Sequence, residues 1–188
     1  MAQADHEHSI RMDNNNEEEI DTIIRQAEPN DARAILALTR QVGQESDFLT
    51  FGPEGIGLTV QQEMELIDRF MRAPKSLMLV AEVDDQIVGL ANIAAFTSEK
   101  QSHVAELGVS LVQEYWGYGI GGLLVEALID FAEEVNLQLI TLEVVVENKR
   151  AVRLYERFNF EIRGTLQKRL KHECRYYDSY IMELMLKA

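Results

Sequence analysis

Residues 114–122 read EYWGYGIGG, four glycines in nine positions, between a β-like run (LGVSLV, 107–112) and a helix-like run (LLVEALIDFAEE, 123–134). A strand entering a helix through glycines sets unpaired helix N–H groups and the positive end of the helix dipole beside the strand end. It also lets a ligand approach the backbone closely. Such a nest of amides suits a pyrophosphate, although a glycine-rich turn can equally exist only to make a tight corner.

The spelling also fits GxGxxG through Gly117, Gly119 and Gly122, with Glu143 on a strand 21 residues later, as in dinucleotide-binding units. Two facts count against that unit. QEYW separates the strand from the first glycine, and the 66 residues after Gly122 leave no room for the rest of a doubly wound sheet. A Walker loop is excluded because the run contains no Gly-Lys-Ser/Thr.

The surrounding chain reads as one α/β domain. Residues 1–19 are nearly devoid of apolar side chains and carry an Asn run and a Glu run, so they are expected to be a disordered acidic tail ahead of a single domain over 20–188. A strand is expected over 21–27, a helix over 31–43 with Ile35, Leu36 and Leu38 inward, and a helix over 59–73 with Met64, Ile67, Phe70 and Met71 recurring at helical spacing. The Gly- and acid-rich stretch 43–57 between them is a loop of a length that is often functional. Three strands in a meander (76–83, 87–96, 103–112) lead to the glycines and the 123–134 helix. A strand (137–146), a helix (148–158) and a hairpin (160–170, 175–186) follow, giving the order βααβββαβαββ.

At this point the chain resembles the GNAT superfamily of acetyl-CoA-dependent N-acetyltransferases. Their glycine motif, Gln/Arg-x-x-Gly-x-Gly/Ala after a splayed strand, corresponds to the stretch from Trp116 through Gly117, Tyr118, Gly119 and Ile120 to Gly121 and Gly122, with Trp116 in place of the usual Gln or Arg. A second block, LEVVVENKRAVRLYERFNF (142–160), is similar to the family's strand–Asn–helix segment, with Asn148, Ala151, Leu154, Tyr155 and Phe160 in matching places. Asn159 replaces the usual glycine before Phe160, a mild change because Asn tolerates the left-handed conformation of a helix C-cap. The resemblance covers about 20–186 and implies a mixed, mostly antiparallel sheet of six to seven strands flanked by about four helices. The ending YYDSYIM resembles the branch containing ribosomal-protein N-terminal acetyltransferases and small-amine enzymes.

Acetyl transfer to an amine needs a neutral amine, a polarised carbonyl and a proton for the departing thiolate. Glu143 and Glu106, on the strands flanking the glycine segment, are the candidate proton acceptors, and the resemblance favours Glu143. It implies Tyr155 as general acid, a backbone N–H near Val109 to Leu111 as oxyanion donor where the strand splays, and Asn148 as a cap that can reach the pantetheine arm. It further implies that the 43–57 loop and the terminal hairpin flank the acceptor, where Glu45, Asp47 and Glu54 with Phe48 and Phe51 would suit an amine on an apolar stem. Solvated loop acids, an ordinary core tyrosine and a simple helix cap are the structural alternatives.

A net charge of −14, with −9 over residues 20–188, repels phosphate backbones and makes a cationic amine a more natural partner than nucleic acid. No apolar stretch approaches membrane-spanning length, the N-terminus lacks a secretory pattern, and the single Cys174 forms no internal disulfide, so a cytoplasmic protein is expected. The four histidines show no metal spacing and no metal is implied. The expected activity is acetyl transfer from acetyl-CoA to a primary amine such as a polyamine, amino acid or amine antibiotic. A protein N-terminus as acceptor and a non-catalytic acyl-CoA sensor are the alternatives, and homodimerisation is a family-level expectation.

Overall fold

The apolar run LMLVA explains the layering. In the strand Leu77–Val83, Leu77, Leu79 and Ala81 pack into one core while Met78 and Val80 pack into another, so the strand needs no polar face. The computed structural model describes residues 8–10 and 20–187. Its strands are β1 (His8–Ile10), β2 (Thr22–Gln26), β3 (Leu77–Val83), β4 (Gln86–Ala95), β5 (Val104–Leu111), β6 (Leu139–Val145), β7 (Glu161–His172) and β8 (Arg175–Met185). They form one sheet in the order β1-β2-β3-β4-β5-β6-β8-β7, antiparallel throughout except for β5 and β6. The helices are α1 (Ala32–Glu45), α2 (Val60–Arg72), α3 (Ile120–Glu134) and α4 (Lys149–Arg157).

The larger core lies where α3 and α4 cover the sheet, with Ile120, Leu124, Leu128, Val152 and Tyr155 against Leu107, Ile140 and Leu142. The smaller lies beneath α1 and α2, around Ile35 and Ile67. Four helices and seven of the strands follow the expected order βααβββαβαββ. The additional strand is β1, in which His8–Ile10 pair with Thr22–Ile24 where no structure was expected. The remainder of the 1–19 stretch lies outside the described residues.

Two local differences have simple causes. Helix α3 begins at Ile120 rather than Leu123, because Gly119 occupies the left-handed region (φ 84°) as N-cap and Gly121 and Gly122 form the first turn despite glycine's weak helix propensity. On α2, closed by a reciprocal cap between Thr59 and Gln62, Met71 is exposed and the fully buried positions are Glu63 and Ile67. At the end of α4, Asn159 adopts φ 64° and the Phe160 N–H returns to the Tyr155 carbonyl at 3.1 Å, as the Asn-for-Gly exchange requires.

Arg25 on β2 ties the sheet to the turn that leads into α1. Its guanidinium donates to both carboxylate oxygens of Asp31 (2.7 and 3.0 Å) and to Glu82 of β3 (3.0 Å). Burial opposes ionisation of Asp31, but the bonds from Arg25 and from the Glu28 N–H outweigh it and hold the carboxyl below its ordinary value. A depressed carboxyl contributes stability above its unfolded pKa and loses it as pH falls through the folded one. Asp31→Asn is therefore expected to lower stability at neutral pH by about 1.5–3 kcal/mol. The gap from the unsubstituted protein should close as the pH is lowered below the ordinary carboxylate range, as read from melting curves of both proteins.

Candidate active site

Strands β5 and β6 run parallel through only three pairs, Val104 with Leu139, Ala105 with Ile140 and Glu106 with Thr141, and then part. The β4–β5 register fixes what the departed strand leaves behind. The Val104 carbonyl accepts from Phe96, and the Val112 N–H donates to Val88, so the even-numbered residues of β5 direct their backbone groups to β4. Val109 and Leu111 consequently direct theirs toward the gap.

That gap is one wall of a cleft of about 820 Å³. Val109, Leu111, Trp116, Gly117, Gly119, Gly121, Gly122, Asn148 and Tyr155 all line it, so most of the expected cofactor residues are brought together. Gly117 and Gly119 have φ of 96° and 84°, and a Cβ on Gly117 would meet nothing within 4 Å, so backbone conformation rather than crowding calls for glycine there. The first α3 hydrogen bonds are made by the Gly122 and Leu123 N–H groups to Gly119, which leaves the preceding amides of the turn directed out of the helix. Ile120 is buried in the core and Tyr118 packs against it, so these two do not line the cleft.

Trp116 closes the loop against the strand end: its indole N–H donates to the Leu111 carbonyl at 2.8 Å, and the Arg150 guanidinium lies 5.0 Å over its ring. Asn148 accepts from the Ala151 N–H at 3.2 Å and caps α4. Tyr155 is 6% exposed and packs edge-on to Phe160, and burial pushes its phenol up to about 12.

The expected acids are dispersed. Glu143 does not line the cleft and both its oxygens accept from Arg169 Nε at 3.0 and 2.9 Å, while Glu106 is exposed and lines neither this cleft nor the second cavity. Glu54 accepts from the Gly52 N–H within its own loop. Glu45, Asp47 and Phe48 do line the cleft. Glu45 accepts from the Gln113 N–H at 2.7 Å, Asp47 lies 3.5 Å from His172, and Phe48 packs edge-on to Tyr177. Phe51 instead lines a second cavity of about 350 Å³ beneath α2, which meets the cleft at Leu49, Val109 and Ser110.

Two features go unmarked in the sequence pattern. Lys149, Arg150, Arg153 and Arg157 give the cleft a basic wall, and their spacing along 149–157 is the signal for it. Glu63 lines the second cavity, and its place four residues before Ile67 puts a charge on the inward stripe of α2.

A glycine cradle at a helix start, a basic helix opposite and a parted pair of parallel strands together suit a phosphate-bearing ligand. The chain belongs to the GNAT family of acetyltransferases, whose model matches residues 47–160. It is 29% identical over 116 residues to the L-amino acid N-acetyltransferase AaaT of Escherichia coli K12, spanning 61% of this chain and 72% of that protein. A GNAT-family acetyltransferase from Streptococcus pneumoniae superposes with a TM-score of 0.86 at 28% identity, over 89% of this chain and all of that one. The fold is shared also with a Salmonella typhimurium structure solved with its cofactor acetyl-CoA, at a TM-score of 0.78 and 18% identity, over 88% of this chain and 94% of that one.

The protein is thus an acyltransferase of that family, and its own residues fit a coenzyme A thioester as donor. Gly117, Gly119 and Gly121 would lie along the pyrophosphate, with the cations of α4 facing them across the cleft. A Cβ on Gly121 would stand 3.5 Å from Leu154, at ordinary contact, so the helix tolerates a side chain that the cleft does not. Gly121→Val is expected to lower acetyl-CoA affinity by about tenfold, or about 1.4 kcal/mol, with the melting temperature little changed. Calorimetric titration of the folded variant checks this, and unchanged affinity would refute the cradle.

Proposed function

We propose that the protein transfers acetyl from acetyl-CoA to a primary amine of a small molecule, by direct attack with both substrates bound, in the cytoplasm and as a homodimer. The observation that supports the chemistry is the convergence, in one cleft, of the glycine cradle, the gap-facing backbone of Val109 and Leu111, and Tyr155. Relatives named as an L-amino acid N-acetyltransferase and a spermidine N(1)-acetyltransferase support a small amine as acceptor.

Bound acetyl-CoA supplies an activated thioester carbonyl. The N–H of Val109 or Leu111 donates to the carbonyl oxygen as negative charge develops there. Asn148 keeps the start of α4 in place beside the pantetheine path. Tyr155 stays protonated at every working pH and donates a hydrogen bond to the departing sulfur. The dry surroundings that disfavour a phenolate also disfavour a thiolate, so burial raises both partners of that proton transfer together.

Release of free thiol from acetyl-CoA in the presence of a panel of primary amines tests the reading, and no release with any amine would overturn it. Tyr155→Phe keeps the ring and its packing on Phe160, so acetyl-CoA affinity and melting temperature are expected to hold while turnover falls by about 10²–10⁴-fold. Because the phenol ionises only near 12, that ratio should stay constant between about pH 7 and pH 10. Full turnover in the variant would end the role of Tyr155.

A further inference from the structure

Glu63 stands where a carboxylate is costly. It is 1% exposed, it belongs to the first turns of α2, and its Oε2 is the one buried side-chain oxygen or nitrogen without a hydrogen-bond partner among the described residues. A buried acid with an unpartnered oxygen is retained at a cost to stability and calls for an explanation, of which a catalytic role toward a ligand is one. Here the acid lines a cavity of about 350 Å³ whose walls are otherwise apolar or neutral, with Phe51, Ile56, Leu66, Phe70 and Leu90 among them. Glu63 is the only charged residue in that lining. The cavity opens on Val109 and Ser110, the same stretch of β5 that faces the acyl site.

We infer that this cavity is the acceptor pocket for a small monoamine carrying an apolar arm, and that Glu63 receives its ammonium group and takes one of its protons. The inference rests on the acetyltransferase reading above and narrows its substrate class. One anion and no cation in the walls match one ammonium group. An amino acid would bury its carboxylate without a counter-charge, and a polyamine would bury further ammonium groups without theirs. Burial also pushes the Glu63 carboxyl above the usual carboxylate range, which strengthens it as a proton acceptor.

One ammonium proton passes to Glu63 and later to solvent, and the neutral nitrogen bonds to the thioester carbon. The carbon–sulfur bond then breaks, the thiolate takes the phenolic proton of Tyr155 to give free thiol, and the second nitrogen proton returns to Tyr155.

Two measurements test the inference. With the unsubstituted protein, thiol release is compared for isoamylamine against leucine, phenethylamine against phenylalanine, and both amines against spermidine, each amino acid differing from its amine by a carboxylate. The apolar amines are expected to show kcat/KM at least about tenfold higher, the size of a modest differential contact. Equal or better turnover of the amino acids or of spermidine would overturn the pocket assignment while leaving the acetyltransferase reading intact. No turnover of either apolar amine while another primary amine is acetylated would overturn the pocket assignment alone, and no thiol release with any primary amine would overturn both.

Glu63→Gln, close in shape, is expected to keep acetyl-CoA affinity and to melt at the same or a higher temperature. Its amine-dependent turnover should fall by about a hundredfold or more. The loss should be much smaller for trifluoroethylamine, which is largely unprotonated at neutral pH, than for ethylamine. A merely structural Glu63 would not distinguish the two, so equal losses, or undiminished turnover, would overturn the role assigned to it. The substrate ranking of the unsubstituted protein decides the pocket assignment even where the variant fails to fold.

Discussion

The early parting of β5 and β6 is the constraint on which the rest of the molecule depends. A parallel pair that stops after Glu106 and Thr141 leaves backbone groups of Val109 and Leu111 without a neighbouring strand in the middle of a sheet. The chain answers this defect locally. The Trp116 indole takes up the Leu111 carbonyl, the glycine turn folds back to start α3 beside the gap, and α4 lies along the far side with Tyr155 turned in. β8, paired to β6 through seven residues, keeps β6 from swinging back. On the function proposed above, what would be a fault in a sheet becomes a place where a carbonyl oxygen can be received by a fixed amide.

Charge distribution shows a similar local reversal. The chain carries −14 overall, yet the wall opposite the glycine turn is built from Lys149, Arg150, Arg153 and Arg157 on three turns of helix. Net charge describes the field far from the surface, whereas binding in a cleft answers to the groups lining it. Acidic composition therefore counts against a long phosphate backbone and not against a single phosphorylated cofactor.

Much of this was legible in the sequence. The element order followed from periodicity and turn residues because apolar spacing and Gly or Asn punctuation are local properties, and Asn159 could be read as a left-handed cap for the same reason. The glycine turn, Trp116, Asn148 and Tyr155 came out together because they lie in two short segments, one leading into α3 and the other running from β6 through α4. The acids did not. Whether Glu143 faces a cleft or an arginine depends on Arg169, 26 residues away on β7, and nothing near Glu143 encodes that. Glu63 was hidden for the opposite reason: Gln61, Gln62 and Glu65 around it make it look like one more solvated position, and only the inward stripe of α2 separates it from them. Met71 sat on the same expected stripe, but in the last turn of α2, where it is exposed.

The loop between α1 and α2 has no regular structure, yet it is anchored at several points. Glu45 at its start binds the Gln113 N–H beyond β5, and a Cβ on Gly43 would run into the Gly52 carbonyl, so the loop lies directly against α1. At its far end Thr59 closes onto Gln62. The segment from Ser46 to Leu58 is thus a span held at both abutments, with Phe48 and Leu49 facing the donor cleft and Phe51 and Ile56 facing the cavity beneath α2. Because the abutments belong to the helices, Phe51 and Ile56, which face only the cavity proposed above as the acceptor pocket, can be exchanged without disturbing the glycine turn. Selectivity and acyl-donor binding can therefore evolve as separable parts of one small domain.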